Sequence, residues 1–92
     1  MVSATATLIN PQGLHMRPAG NFAAAMGKFD ECNITVTAGE TTINGKSPMA
    51  LMAAGLHKGT EVTITCDGKD EQEALNMAID MIESGLGDPM TN

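Results

Sequence analysis

The chain contains no tryptophan, no tyrosine and only two phenylalanines among its 92 residues. Aromatic rings therefore cannot dominate the core, and aliphatic side chains together with eight methionines must fill it instead. Basic residues are also scarce, since five lysines and arginines stand against eleven acidic residues and leave a formal net charge of −6. This acidic balance argues against general nucleic-acid binding and against direct attraction to an anionic membrane.

Long apolar runs are absent as well. No stretch approaches the ~20 apolar residues of a membrane-spanning helix, and the N-terminus lacks the basic start and apolar segment of a secretory signal. We therefore expect a cytoplasmic protein. Its two cysteines, Cys32 and Cys66, have no cysteine or histidine neighbour at metal-ligand spacing. They are expected to be reduced core residues, with no bound metal and no other cofactor.

A chain of this length can form one domain with a modest core, but not two. We expect that single domain to span residues 1–88. The last helical pattern ends at Gly85, and the glycine and proline that follow it predict a flexible tail over residues 89–92.

Seven elements are predicted from the hydrophobic pattern. Four segments alternate apolar and polar residues as half-buried strands do, namely 2–8, 34–37, 40–43 and 60–66. Three segments repeat apolar residues at helical spacing, namely 16–26, 48–55 and 71–84. The order is strand, helix, strand, strand, short helix, strand, helix. It predicts an α+β fold in which helices cover one face of an antiparallel sheet, while the other face, rich in threonine, meets water.

Two helix starts carry capping signals. Ser47 followed by Pro48 predicts a serine N-cap with proline at the first helical position. Asp70, with Glu73 three residues later, has the spacing of a capping box.

The candidate chemistry lies in residues 13–19, Gly-Leu-His-Met-Arg-Pro-Ala. The start of a helix offers N–H groups without an intrahelical partner and the positive end of the macrodipole, and both favour phosphate. His15 stands just before the predicted helix, where the dipole opposes a positive charge on the ring and leaves a nitrogen able to attack. Arg17 adds a guanidinium that can hold two phosphate oxygens, and Pro18 lies where no N–H is needed. The segment predicts a histidine that takes up a phosphoryl group and holds it.

A second interpretation of the same segment is structural. A histidine at a helix start also occurs as a cap or as a solvated surface residue, and the segment alone does not separate the two interpretations. The spacing of the motifs that follow it does.

Five motifs occur in order along the chain: GLHMRPA at 13–19, ITV at 34–36, GKS at 45–47, LHKG at 56–59 and DEQEA at 70–74. Together they closely resemble HPr, the family of histidine-containing phosphocarriers of the bacterial phosphoenolpyruvate-dependent sugar phosphotransferase system. The resemblance covers nearly the whole chain. It implies an open-faced β-sandwich, in which three helices cover one face of a four-stranded antiparallel sheet.

The resemblance also implies roles and partners. His15 is expected to be phosphorylated through its Nδ1 atom, with Arg17 beside it stabilising the phosphate. Ser47 matches the regulatory serine that a dedicated kinase phosphorylates in many Gram-positive members. The expected partners are enzyme I, which donates the phosphate, and the IIA components of sugar permeases, which accept it. HPr kinase/phosphorylase and a carbon catabolite regulator are further candidates, and a monomer without nucleic-acid or membrane contact is expected.

Three methionines are predicted to contact partners. Met16 stands where the family usually has a small residue or threonine, and makes the rim of the site bulkier. Met49 and Met52 lie on the short helix, which carries more apolar residues than one buried stripe needs, so they are either core residues or a contact patch. Pro48 is a further departure, since an aliphatic residue usually follows the regulatory serine.

The HPr strand order places the second and fourth strands side by side and antiparallel. Cys32 shares the inward parity of Ile34, and Cys66 shares that of Ile64. The resemblance therefore predicts two buried thiols that lie close together.

Three functions compete on this evidence. The leading hypothesis is a phosphoryl carrier, which is not an enzyme with a substrate of its own. The alternative is a regulatory HPr-like protein that acts mainly through Ser47 phosphorylation, but relatives of that kind lack the active histidine. A small histidine-dependent hydrolase would need a second acid or base near His15 and a pocket, and the local sequence supplies neither.

Overall fold

The structure is a computed structural model that describes residues 1–11 and 13–86. The elements are, in chain order, β1 (Val2–Thr7), α1 (Met16–Met26), β2 (Cys32–Ala38), β3 (Thr41–Asn44), α2 (Pro48–Ala53), β4 (Glu61–Gly68) and α3 (Glu71–Glu83). Their predicted order and types are confirmed. The boundary of the domain at residue 88 and the flexible tail over 89–92 lie outside the described residues and stay predictions.

The strands form one antiparallel sheet in the order β1-β4-β2-β3. Helix α3 packs on β1 and β4, α2 contacts β3, and α1 lies against α2 and α3. All three helices cover the same face, because the strand residues of that face are the buried ones. This is the expected α+β open-faced β-sandwich.

Aliphatic residues fill the space between the sheet and the helices. Ile64 and Ala74 are fully buried there, together with the sulfur-containing side chain of Met26. The two phenylalanines, Phe22 and Phe29, complete this core. The interior is thus built largely without aromatic rings, as the composition predicted.

Threonines form rows across the open face of the sheet. In one row, which crosses all the strands, Thr63 lies opposite both Thr5 and Thr37, and Thr37 also lies opposite Thr42. These side chains are exposed or half-buried. Because β-branched side chains favour the extended backbone, the rows stabilise the strands without needing a cover.

The two predicted helix caps have different outcomes. The Ser47 cap is confirmed, since the Ala50 N–H donates to Ser47 Oγ at 3.2 Å and Pro48 is the first helical residue. The Asp70 capping box is wrong. A capping side chain reaches the helix N–H groups from an extended backbone, but Asp70 has a left-handed φ of 58° and its side chain makes no capping bond.

Glu71, the first residue of α3, makes the side-chain contacts at this helix start, although it does not cap the helix. Its Oε1 accepts a hydrogen bond from the Gly68 N–H at 3.1 Å, and its Oε2 lies 2.9 Å from the amino group of Met1. The amino group is the main cause that lowers the pKa of the Glu71 carboxyl. The start of α3 is therefore joined to the start of β1 on the molecular surface.

Within residues 1–11 and 13–86, no helix is both long enough and apolar enough to cross a membrane.

The cysteine prediction is confirmed. Cys32 and Cys66 are free thiols with relative exposures of 1% and 0%. They are diagonal neighbours on β2 and β4, because Cys66 lies opposite Ile34 and Cys32 lies opposite Gly68. Burial raises the pKa of the Cys66 thiol to about 11, and the neighbouring Cys32 thiol adds to the rise.

We predict that both thiols react slowly in the native protein. A bulky disulfide reagent reaches them only when the sheet opens, so at pH 8 we expect labelling at least about 100-fold slower than in urea-unfolded protein. Release of the reagent's chromophore measures the rate. Rapid labelling of both cysteines without denaturant would contradict their burial.

The raised pKa of Cys66 also predicts a pH dependence of stability. The unfolded thiol ionises at lower pH than the folded thiol, so its contribution is fully present below the unfolded pKa, near 9. That contribution is lost as the pH rises from there towards 11. Thermal unfolding between pH 8 and pH 11 measures the change, and Cys66→Ala, which cannot ionise, should show a shallower fall in Tm.

Candidate functional site

His15 lies at the N-cap position of α1, immediately before the first helical residue. Its backbone is extended, with φ −85° and ψ −166°, and its carbonyl oxygen accepts the Ala19 N–H at 3.0 Å. The side chain is half-buried. This conformation places the imidazole at the end of the helix where backbone N–H groups lack intrahelical acceptors.

The first turn of α1 presents positive charge and no negative charge. Arg17 is exposed in this turn, and none of the described residues there is acidic. Pro18 is buried one residue further on, where its ring packs and its missing N–H breaks no helical bond. A phosphoryl group on His15 would therefore meet a guanidinium and the positive end of the helix dipole.

Gly13 brings the loop before His15 against the loop that follows α2. Its φ is +72°, and a Cβ built on it would lie 2.3 Å from the Leu56 carbonyl oxygen and 2.6 Å from His57 Cα. The next residue, Leu14, donates its N–H to the same Leu56 oxygen at 2.9 Å. Only glycine fits at this approach, because any side chain would occupy the space of the Leu56 and His57 backbone.

The end of α2 is thereby fixed beside the start of α1. Met16 and Met49 are 73% and 75% exposed, whereas Met52 is half-buried against the core. The question left open for the short helix is thus resolved differently for its two methionines: Met49 is a surface residue and Met52 is shared between surface and core. Ser47 lies at the opposite end of α2 from Leu56.

The remaining candidates contribute less to this region. His57 is exposed. Among the described residues, no group of three or more histidines, cysteines or carboxylates could hold a metal ion.

Asn10 is a site-neighbouring residue that the sequence analysis did not single out. It is fully buried, and its Nδ2 donates to the Gly85 carbonyl oxygen at 2.8 Å. The alternation of buried residues along the strand could have identified it, because Asn10 is the next inward-facing position after Ala4, Ala6 and Leu8.

The arrangement suits transfer of a phosphoryl group better than hydrolysis. A half-buried imidazole stands at a helix start beside one exposed guanidinium, on the surface rather than in a closed cavity. An exposed site of this kind can be reached by a partner protein and can stabilise a phosphate moderately.

Comparison with known proteins gives consistent matches over nearly the whole chain. The family described as "PTS HPr component phosphorylation site" matches residues 2–84. A phosphocarrier protein HPr from Neisseria meningitidis is 34% identical over 88 residues, which cover 96% of this chain and 98% of the relative.

Solved structures agree with these matches. HPr-C-His from Thermoanaerobacter tengcongensis has a TM-score of 0.89 and 36% identity, covering 97% of this chain and 99% of that chain. Crh from Bacillus subtilis, a catabolite repression protein, has a lower TM-score of 0.73 and 32% identity, covering 92% and 97% of the two chains.

We predict that Gly13→Ala is strongly destabilising because it forces both a left-handed alanine and a backbone clash. The expected loss in the free energy of unfolding is about 3 kcal/mol, measured by urea denaturation. Gly39→Ala is the matched control, since Gly39 has φ +61° but no atom within 4 Å of the added Cβ. The control should lose only about 1 kcal/mol. Equal losses at the two positions would show that the approach to Leu56 is not tight.

Proposed function

Because this chain belongs to the HPr family of phosphocarriers of the phosphotransferase system, we propose that His15 accepts a phosphoryl group from phosphorylated enzyme I. The phosphate then passes to the IIA components of sugar permeases in the cytoplasm. The observation that carries the proposal is the position of His15 at the start of α1, with Arg17 exposed in the same turn.

The proposed step needs no cofactor. The lone pair of His15 Nδ1 forms the new N–P bond while the bond between phosphorus and its donor atom on enzyme I breaks. The imidazole keeps its proton on Nε2 while Nδ1 forms the bond to phosphorus. Arg17 and the N–H groups at the start of α1 stabilise the charge on the phosphoryl oxygens in the product.

Transfer onward requires that this stabilisation be limited. One guanidinium and one helix end hold the phosphate less tightly than a closed pocket with several cations would. A carrier benefits from this balance, because a phosphoryl group held too firmly would not pass to a IIA component.

The exposed surface around His15 provides the proposed docking region. Met16 on α1 and Met49 on α2 present large flexible apolar side chains, Met52 on α2 is half-buried, and the two helices pack against each other. Methionine adapts its shape to different partners, which suits a carrier that must bind a donor and several acceptors in turn.

Ser47 is the proposed regulatory site. A phosphate on its Oγ would lie at the start of α2, next to the exposed Met49. HPr kinase/phosphorylase would be the modifying enzyme and a carbon catabolite regulator the protein that binds the modified form. Pro48 then becomes part of the sequence that the kinase must recognise.

A test that separates the candidate functions is incubation of the protein with phosphoenolpyruvate and enzyme I. Acid-labile phosphate that can be passed to a IIA component supports the carrier. No incorporation would instead support a regulatory protein acting through Ser47, and continuous release of inorganic phosphate would support a hydrolase.

We predict that His15→Ala abolishes uptake of acid-labile phosphate, with Tm changed by only a few degrees because the residue lies at the surface. Arg17→Ala should slow transfer without preventing uptake. Radiolabel transferred from phosphoenolpyruvate through enzyme I measures both effects. His57→Ala is the control, since His57 is the other histidine of the chain and should not be needed. Normal uptake by His15→Ala would refute the assignment.

A separate prediction concerns Ser47→Asp. Aspartate can cap α2 as serine does and complements the helix dipole, so Tm should stay the same or rise slightly. The added charge beside Met49 must be desolvated when enzyme I docks, so KM for the carrier should rise about fivefold or more. Ser47→Ala should do the opposite, keeping KM but losing about 1 kcal/mol of stability with the cap. A Ser47→Asp protein with unchanged KM would limit Ser47 to its capping role.

A further inference from the structure

Asn10 is the buried polar side chain of the described core, and it lies five residues before His15. Its relative exposure is 0%, and its Nδ2 donates to the Gly85 carbonyl oxygen at 2.8 Å. Leu8 and Leu14, on either side of it in the chain, are also buried. If packing were the only requirement at this position, an aliphatic residue would meet it. An amide adds what an aliphatic side chain lacks, a directional bond that fixes one register of the chain.

Backbone hydrogen bonds connect the position of Asn10 to the position of His15. The Gly13 N–H donates to the Asn10 carbonyl oxygen at 2.9 Å and closes the turn. Leu14 then donates to the Leu56 oxygen at 2.9 Å, and the His15 oxygen accepts from Ala19 at 3.0 Å. These bonds fix the backbone positions of Asn10, Gly13, Leu14 and His15 relative to one another.

Gly85, which accepts the hydrogen bond from Asn10, is itself held in place. Gly85 belongs to the turn after α3, and Leu86 in that turn is 1% exposed and packs near Leu14 and Phe22. Asn21 of α1 donates its Nδ2 to the Leu86 oxygen at 2.8 Å. The turn after α3 is therefore held by a hydrogen bond from Asn10, by a hydrogen bond from Asn21 of α1, and by the packing of Leu86 in the core.

We propose that Asn10 is a positioning residue for phosphoryl transfer, acting on His15 through the turn that it fixes against Gly85. The inference deepens the proposed carrier function and rests on it. In-line transfer requires Nδ1, phosphorus and the leaving atom to be aligned, and a displacement of about 1 Å can slow such a step up to about 100-fold. Asn10 does not touch the phosphoryl group. Asn10 sets the direction from which the His15 imidazole approaches the phosphoryl group.

The test compares Asn10→Leu with the wild-type protein. Leucine has the same number and branching of side-chain heavy atoms as asparagine, although it is larger, so it keeps the side-chain skeleton but removes the donor to Gly85. We expect the maximal rate of phosphoryl uptake from phosphorylated enzyme I to fall about tenfold. KM should stay within twofold, because the docking surface on α1 and α2 is unchanged. Rapid-quench measurements over a range of carrier concentrations separate the two quantities.

Asn21→Leu is the matched control. It removes a bond of the same kind and length to the neighbouring carbonyl, but Asn21 lies on the exposed side of α1 and does not belong to the loop before His15. Its uptake rate should stay within twofold of wild type. Equal rates for Asn10→Leu and wild type, or equal losses in the two variants, would overturn the role of Asn10. If the wild-type protein takes up no phosphate, the proposed function fails, and this inference fails with it.

A measurement on the wild-type protein covers the case in which Asn10→Leu does not fold. The side-chain amide of Asn10 should exchange its hydrogens much more slowly than that of exposed Asn76, and its resonances should move when His15 is phosphorylated. Fast exchange, or resonances that do not respond to phosphorylation, would overturn the inference.

Discussion

The approach of the Gly13–Leu14 backbone to the Leu56–His57 backbone is the contact on which the rest of the site depends. The Leu14–Leu56 hydrogen bond and the absence of a side chain at Gly13 hold two loops together at this point, and each loop borders a helix of the candidate site. Two further backbone bonds join the same loops, from Leu8 to the Thr60 oxygen and from Gly59 to the Leu8 oxygen. The first loop delivers His15 to the start of α1, and the second follows the end of α2. His15 and the start of α1 are therefore joined to the end of α2 through backbone atoms, whose positions do not change with side-chain rotamers. A change at this contact would alter both together.

Electrostatics near His15 differ from those of the molecule as a whole. The chain carries a net charge of −6, yet the first turn of α1 has an arginine and, among its described residues, no acid. A site with a local positive potential on an acidic protein attracts a phosphoryl group only at short range, since the charge of the whole molecule opposes anions further away. For the proposed carrier, this balance would favour a phosphoryl group presented by a docked protein over free phosphate.

The sequence predicted the fold well because two periods, one for strands and one for helices, determine which side chains are buried. Parity placed Cys32 and Cys66 in the core, and the serine–proline pair marked the start of α2. The two misses concern one backbone conformation and one contact between residues that are distant in the chain. Asp70 has the right residue type for a cap, but its left-handed backbone turns the side chain away, and no period in the sequence encodes that angle. Asn10 followed the parity of β1, but its partner Gly85 is 75 residues away, and only the folded chain brings the two together.

The threonine rows lie on the open face of the sheet, and the helices cover the other face. Substitutions on the two faces therefore have separate effects. Threonines on the open face lie opposite one another across strands, and Thr5 and Thr63 share a hydrogen bond, so substitutions on that face act first on the sheet. A label or a tether attached at a threonine such as Thr37 would leave α1 and α2 turned towards solution. The protein could then be immobilised on a surface in an orientation that keeps His15 accessible, which suits it to measurements that follow one partner exchange at a time.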